Sequence, residues 1–247
     1  MLKKNERYWE IDLLRGIAIV AMIAYHIFYD LNFFGVYRFY LNSTIFKIFL
    51  YPIGTTFLLL VGISLTLSYN RVKKSLSKKQ LIKKFVFRGF KIFSLGLIIT
   101  LVTFLFLDEG FIIFGILHCI GISIILSMFF IRYQLLNLFL GFSFLFIGLF
   151  LQTMSFNFSW LLWLGFIPSN FYTVDYFPLL PWFGVILIGI FFGNLLYPNY
   201  KRKFKIKDFS YSKPVKMLCF LGKNSLIIYF LHQPIIVGVI QFFKILN

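Results

Sequence analysis

IDLLRGIAIVAMIAYHIFYDL, residues 11–31, is apolar over a length that crosses a bilayer, yet it holds Asp12 and Arg15 at its start and His26 and Asp30 towards its end. About 20 apolar residues let a helix span ~30 Å of hydrocarbon. Titratable groups at that depth are costly unless paired or hydrated, which makes each one a candidate for function. Arg15 and His26 are 11 residues apart, close to three helical turns, so they share a face and lie ~16 Å apart along it. Asp12 precedes Arg15 by three positions and Asp30 follows His26 by four, spacings at which helical side chains touch. Such a face should line a cavity and not meet lipid.

This stretch is one of seven. Apolar runs fall at 13–31, 45–69, 85–107, 111–131, 134–151, 178–197 and 224–245. The 247 residues are 60% hydrophobic and 13% charged, with 36 Phe, and the mean hydropathy is +0.87. That composition excludes an ordinary soluble domain, and runs of this length argue for helices over the short alternating strands of a barrel. The expected fold is all-α: a polytopic integral membrane helical bundle of about seven transmembrane helices, one domain over residues 1–247, located as a multi-pass protein in the cell membrane. Lys3, Lys4 and Arg7 precede the first run as in a signal peptide. Arg15 interrupts that run and no small-residue cleavage site follows, so it reads as a retained helix.

Basic residues orient the bundle. With the N-terminus cytoplasmic, 21 Lys and Arg fall on that side and only Arg38, Lys47 and Lys244 on the other, which predicts a C-terminus outside. The stretches 71–91 and 199–223 then become basic cytoplasmic loops. Residues 152–177, with Trp160, Trp163, Pro168 and Tyr172, become an aromatic extracytoplasmic loop with room for a short re-entrant helix. The net charge of +17 is spread through loops and not gathered on a soluble face, so membrane lipid is an expected partner and nucleic acid is not. Cys119 and Cys219 are too few for a disulfide framework and read as two thiols. No internal repeat of a two-fold transporter is visible.

His118, in FGILHCIGIS, and His232, in NSLIIYFLHQP, each lie about two turns inside a span. With His26 they place all three histidines at intermediate depth on separate helices. Gln233 and Pro234 follow His232, where a kink would open backbone groups. Asp175 sits in YTVDYFPLLPWFG at the outer mouth, and Asn224 and Ser225 open the last span, where such residues cap helices. Three chemistries fit: acid–base catalysis by a neutral His, bis-His haem or metal ligation by His26 and His118 at one depth, and a transporter's proton relay. Periodicity does not choose among them.

The blocks EIDLLRGIAIVAMIAYHIFYDL, FGILHCIGIS, DYFPLLPWFGVILIGIFFG and LGKNSLIIYFLHQPII, in this order over about residues 7–238, resemble the bacterial and archaeal members of the heparan-alpha-glucosaminide N-acetyltransferase catalytic family. The arrangement of Arg15, ten residues and His26 is similar to that of the wider transmembrane acyltransferases that decorate surface glycans. The resemblance implies transfer of an acyl group from cytosolic acyl-CoA, acetyl-CoA being the expected donor, to a hydroxyl or amine of an envelope glycan or glycolipid, with no metal or haem. Under it Asp12, Arg15, Asn224 and Ser225 would bind the CoA end, helped by the Lys-rich stretches. His26 would be the general base, and Asp30, His118, Asp175 and His232 would complete the catalytic set, Asp175 by binding the acceptor or orienting a His. The animal lysosomal members place Asn where this chain has His26 and carry a reactive His in the following lumenal segment. That departure leaves direct transfer and a covalent acyl-histidine both open; direct attack with His26 as base is the expected route, and an acyl-histidine intermediate is the second. A transporter or flippase for a lipid-linked sugar would use the same cavity without chemistry. The oligomeric state stays open, a dimer included.

Overall fold

The computed structural model describes residues 7–37 and 44–246, except the side chains of 44–51 and 245–246. Lys3, Lys4, Arg38 and the side chain of Lys47, which entered the charge count, lie outside the described residues. The described chain is helical: α1 (Trp9–Phe33), α2 (Thr44–Val72), α3 (Lys78–Phe106), α4 (Ile116–Phe130), α5 (Leu135–Leu151), α6 (Leu179–Leu196), α7 (Lys213–Lys223) and α8 (Ser225–Leu246), with 3-10 turns at Leu162–Leu164 and Pro198–Tyr200. Helices α1, α2, α3, α6 and α8 are long and apolar enough to cross a bilayer, whereas α4 and α5 are apolar but only 15 and 17 residues long. The protein is thus an all-α, polytopic helical membrane protein.

Two segments differ from their sequence reading. Most of 71–91 is helix and not loop, because Ser77 and Gln80 cap α3 reciprocally: the Ser77 hydroxyl accepts from the Gln80 N–H at 3.3 Å and the Gln80 side chain accepts from the Ser77 N–H at 2.9 Å. This S-x-x-Q box starts the helix ahead of the apolar run. In 152–177 there is no re-entrant helix, only the turn Leu162–Leu164. Packing of Phe156, Phe158 and Phe166 organises the rest, with the Phe156 N–H bonded to the Ile167 carbonyl at 3.0 Å.

The chain divides into two compact units, Met1–Phe57 with Ile206–Asn247, and Leu58–Lys205, the division falling inside α2. In the first, α1 is inverted with respect to a soluble amphipathic helix. Leu14, Ile17, Val20, Ile27 and Phe28 are exposed, while Asp12, Gly16, Ile19 and Asp30 are buried. In a bilayer the exposed apolar residues meet lipid and the polar stripe is kept inside the protein. Helix α7, within what reads as a basic loop, crosses the start of α1 so closely that a methyl added at Gly16 would overlap the Leu218 carbonyl, and one at Gly222 the Asp12 carbonyl. The Cys219 thiol donates to the Trp9 carbonyl at 3.3 Å. Helix α8 then runs beside α1 in the same direction, His232 and Gln233 meeting His26 and Lys244 reaching the Phe34 carbonyl at 3.3 Å. It stays helical through Pro234.

The second unit uses the same device. Gly89 and Gly121 bring α3 onto α4, Gly141 and Gly184 bring α5 onto α6, and Gly62 and Gly189 bring α2 onto α6, each glycine facing backbone of the partner helix. Lipid supplies no hydrophobic drive between helices, so close backbone approach at small residues supplies the contact.

Candidate functional site

Two groups of the candidate residues come together within the first unit. At the start of α1, Arg15 donates through Nη1 to Asp12 Oδ1 at 3.1 Å and to the Gly222 carbonyl at 3.3 Å. That carbonyl belongs to the last turn of α7, whose partial negative charge suits a guanidinium. Asn224 follows immediately and donates to the Phe220 carbonyl at 2.9 Å. Its side chain thus closes the end of α7 instead of capping the start of α8, because the orphan carbonyls of α7 lie within its reach. Ser225 is buried beside it. Asp12, Arg15, Asn224 and Ser225 therefore lie at one end of α1, around the α7–α8 junction. Asp12 is 3% exposed, and its Oδ2 has no protein hydrogen-bond partner.

About three turns further along α1, the His26 and His232 rings lie 4.8 Å apart, inclined at 58°. The Gln233 side-chain nitrogen donates to His26 Nδ1 at 2.8 Å, and the same amide faces the Asp30 carboxylate. His232 donates through Nδ1 to the Tyr229 carbonyl one turn back. Tyr25 packs edge-on to the His26 ring at 5.5 Å. Three buried atoms here have no protein partner: Asp30 Oδ2, His232 Nε2 and Gln233 Oε1. Unpaired polar atoms are scarce in protein interiors. All three belong to residues gathered around the His26–His232 pair.

His118 and Asp175 meet in the second unit, at the start of α4. His118 Nδ1 accepts from the Gly115 N–H at 3.2 Å, and Nε2 donates to the Thr100 hydroxyl at 3.4 Å. Both ring nitrogens are engaged, which leaves neither for a metal. The ring is 2% exposed, flanked by Phe93 and Phe114 and pressed against Gly96. Asp175 accepts from the Ile116 N–H at 3.2 Å, in a loop held to 110–114 by bonds from Thr173, Val174 and Phe177. Two N–H groups that the first turn of α4 leaves unpaired are thereby satisfied. Asp175 lies outside the spanning helices, and its burial raises its pKa from 3.8 to about 6, against the lowering effect of the Ile116 bond.

Sequence reasoning passed over Gln233 as a functional residue, and with it the partnership of α8 and α1. Gln233 and His26 are 207 positions apart, and an uncharged amide carries no spacing signal. Its place beside His232 and before Pro234 was the only cue.

Neither the curated proteins nor the solved structures searched yield a match. The family described as heparan-alpha-glucosaminide N-acetyltransferase, catalytic, matches over residues 7–234, a range that contains α1 through the His232–Gln233 segment of α8. With a helical membrane fold and a match over nearly its whole length, the chain belongs to the heparan-alpha-glucosaminide N-acetyltransferase catalytic family and is of transmembrane acetyltransferase type.

Proposed function

We propose that the chain moves an acetyl group from cytosolic acetyl-CoA to a hydroxyl or amine of an envelope glycan or glycolipid at the cell membrane. The observation that carries this reading is the part-buried polar face of α1, with a guanidinium at one end and, ~16 Å deeper, an imidazole pair with unpartnered polar atoms beside it. A cationic end suits the phosphates of CoA, and the Lys residues of α7, which packs on the start of α1, add a positive potential that concentrates a polyanion. At the deeper end the acceptor loses a proton to an imidazole as its oxygen or nitrogen attacks the thioester carbon. The C–S bond then breaks, and the proton passes to the departing thiolate. His118 and Asp175 we assign to holding the start of α4, since each spends its polar atoms on backbone groups there.

Turnover of labelled acetyl-CoA by the purified protein in proteoliposomes tests the reading. Wild type should release CoA in proportion to acetylated product, His26→Ala should reduce this to background in a protein that still inserts, and Arg15→Ala should raise KM for acetyl-CoA. A wild type that consumes no acetyl-CoA in any lipid tried would sink the reading and leave a sugar-lipid transporter as the one to pursue.

A further inference from the structure

The neighbours of His26 and His232 dictate which ring nitrogen of each carries its proton. A side-chain amide nitrogen can only donate, so the 2.8 Å contact from Gln233 makes His26 Nδ1 an acceptor. In the neutral ring the one N–H then lies on Nε2. The Gln233 amide also lies beside the Asp30 carboxyl, which is 4% exposed. His232 is the mirror case. A carbonyl can only accept, so the Tyr229 contact puts the proton of His232 on Nδ1 and its lone pair on Nε2, which is buried and has no protein partner.

We propose that Gln233 is a positioning residue that holds His26 as a hydrogen-bond donor through Nε2–H, and that His232, not His26, takes the acceptor's proton. The proposal rests on the acyl-transfer reading of this site. The acceptor O–H or N–H gives its proton to His232 Nε2 while its lone pair forms a bond to the thioester carbon. His26 Nε2–H donates to the carbonyl oxygen as negative charge gathers there and keeps its own proton. Collapse re-forms the carbonyl and breaks the C–S bond, and the thiolate takes the proton back from His232 Nε2. The products are acylated acceptor and CoA thiol, with both rings restored. A neutral imidazole can donate to a developing oxyanion, and removing one oxyanion donor costs about 10²–10³-fold in kcat.

Nitrogen-15 NMR of the full chain, labelled at histidine, reconstituted in nanodiscs at pH 8 and assigned by single substitution of each of its three histidines, reads the tautomers directly. The expected spectrum has His26 protonated at Nε2 and His232 at Nδ1. Gln233→Glu presents only acceptors, draws the His26 proton to Nδ1 and removes the donor, so kcat should fall about 10²–10³-fold with KM for acetyl-CoA unchanged. Were His26 the base, the same substitution would build a carboxylate–imidazole pair and keep or raise kcat. Because Glu beside Asp30 adds like charge, Asp30→Asn with Gln233→Glu serves as the folded control and should show the same loss and the same tautomer switch. His26 protonated at Nδ1 in wild type, or Gln233→Glu at wild-type turnover, overturns the proposal. The expected tautomers in a wild type that never consumes acetyl-CoA would uphold the hydrogen-bond assignment of the two rings and overturn the acyl-transfer reading, and with it the roles proposed for them.

Discussion

Asp175 accepts an N–H from Ile116 and yet titrates near 6, because burial opposes the anion more strongly than one backbone bond favours it. A carboxyl that is more readily protonated in the folded chain than in the unfolded one contributes stability below its unfolded pKa and loses it as pH rises through about 6. Thermal melting of the purified protein should therefore move down between pH 5 and pH 7, and Asp175→Asn, which cannot titrate, should remove that part of the shift. An Asn variant whose melting follows pH as steeply as wild type does would exclude this role. At the same scale, the histidines announce themselves in the sequence because an imidazole inside an apolar run is rare and costly. Whether such a ring serves chemistry or scaffold is written in its contacts. His118 spends both nitrogens on Gly115 and Thr100, whereas His232 keeps a buried Nε2 without a protein partner.

Pairs of glycines, more than large side chains, decide which helices touch. Gly16 and Gly222 let α1 and α7 meet backbone to backbone, and the Arg15–Gly222 bond depends on that approach. A methyl at Gly222 would overlap the Asp12 carbonyl, so Gly222→Ala must move a helix and should cost at least ~1–3 kcal/mol, the usual range for overpacking. Melting in detergent, with KM for acetyl-CoA measured alongside, checks this, and an unchanged melting temperature would show that the crossing is looser than described. Helix α7 was legible in principle. KPVKMLCFLGK has Pro near its start, packs Cys219 and Gly222 inward, and leaves Lys216, Met217, Phe220 and Lys223 outside. Its lysines, counted for topology, drew attention from its helical period, and its length is too short to register as a span.

For the whole molecule the asymmetric distribution of Lys and Arg predicts orientation, since short basic segments resist translocation. Ser75 lies in the exposed turn between α2 and α3, and Trp160, 71% exposed, lies in the aromatic segment. Both native cysteines are buried, so new ones report cleanly. A membrane-impermeant maleimide should label Trp160→Cys in intact cells and Ser75→Cys only after permeabilisation. The reverse pattern would invert the protein and place Asp12 and Arg15 on the far side from acyl-CoA, a result that the proposed reaction does not survive.

The sequence by itself determined that the chain is helical and crosses a membrane, because hydrocarbon leaves a run of about 20 apolar residues no other way to pair its backbone. It also determined that α1 has a polar face, because the 3.6-residue period converts spacing into direction. Only the tertiary structure decided what that face meets. The α7–α8 junction at Arg15 and the His232–Gln233 pair at His26 come from more than 200 positions away, brought there by close glycine contacts and donor–acceptor matches that leave no periodic trace along the chain. The partners of the two imidazoles, Gln233 for His26 and the Tyr229 carbonyl for His232, belong wholly to that second kind of information.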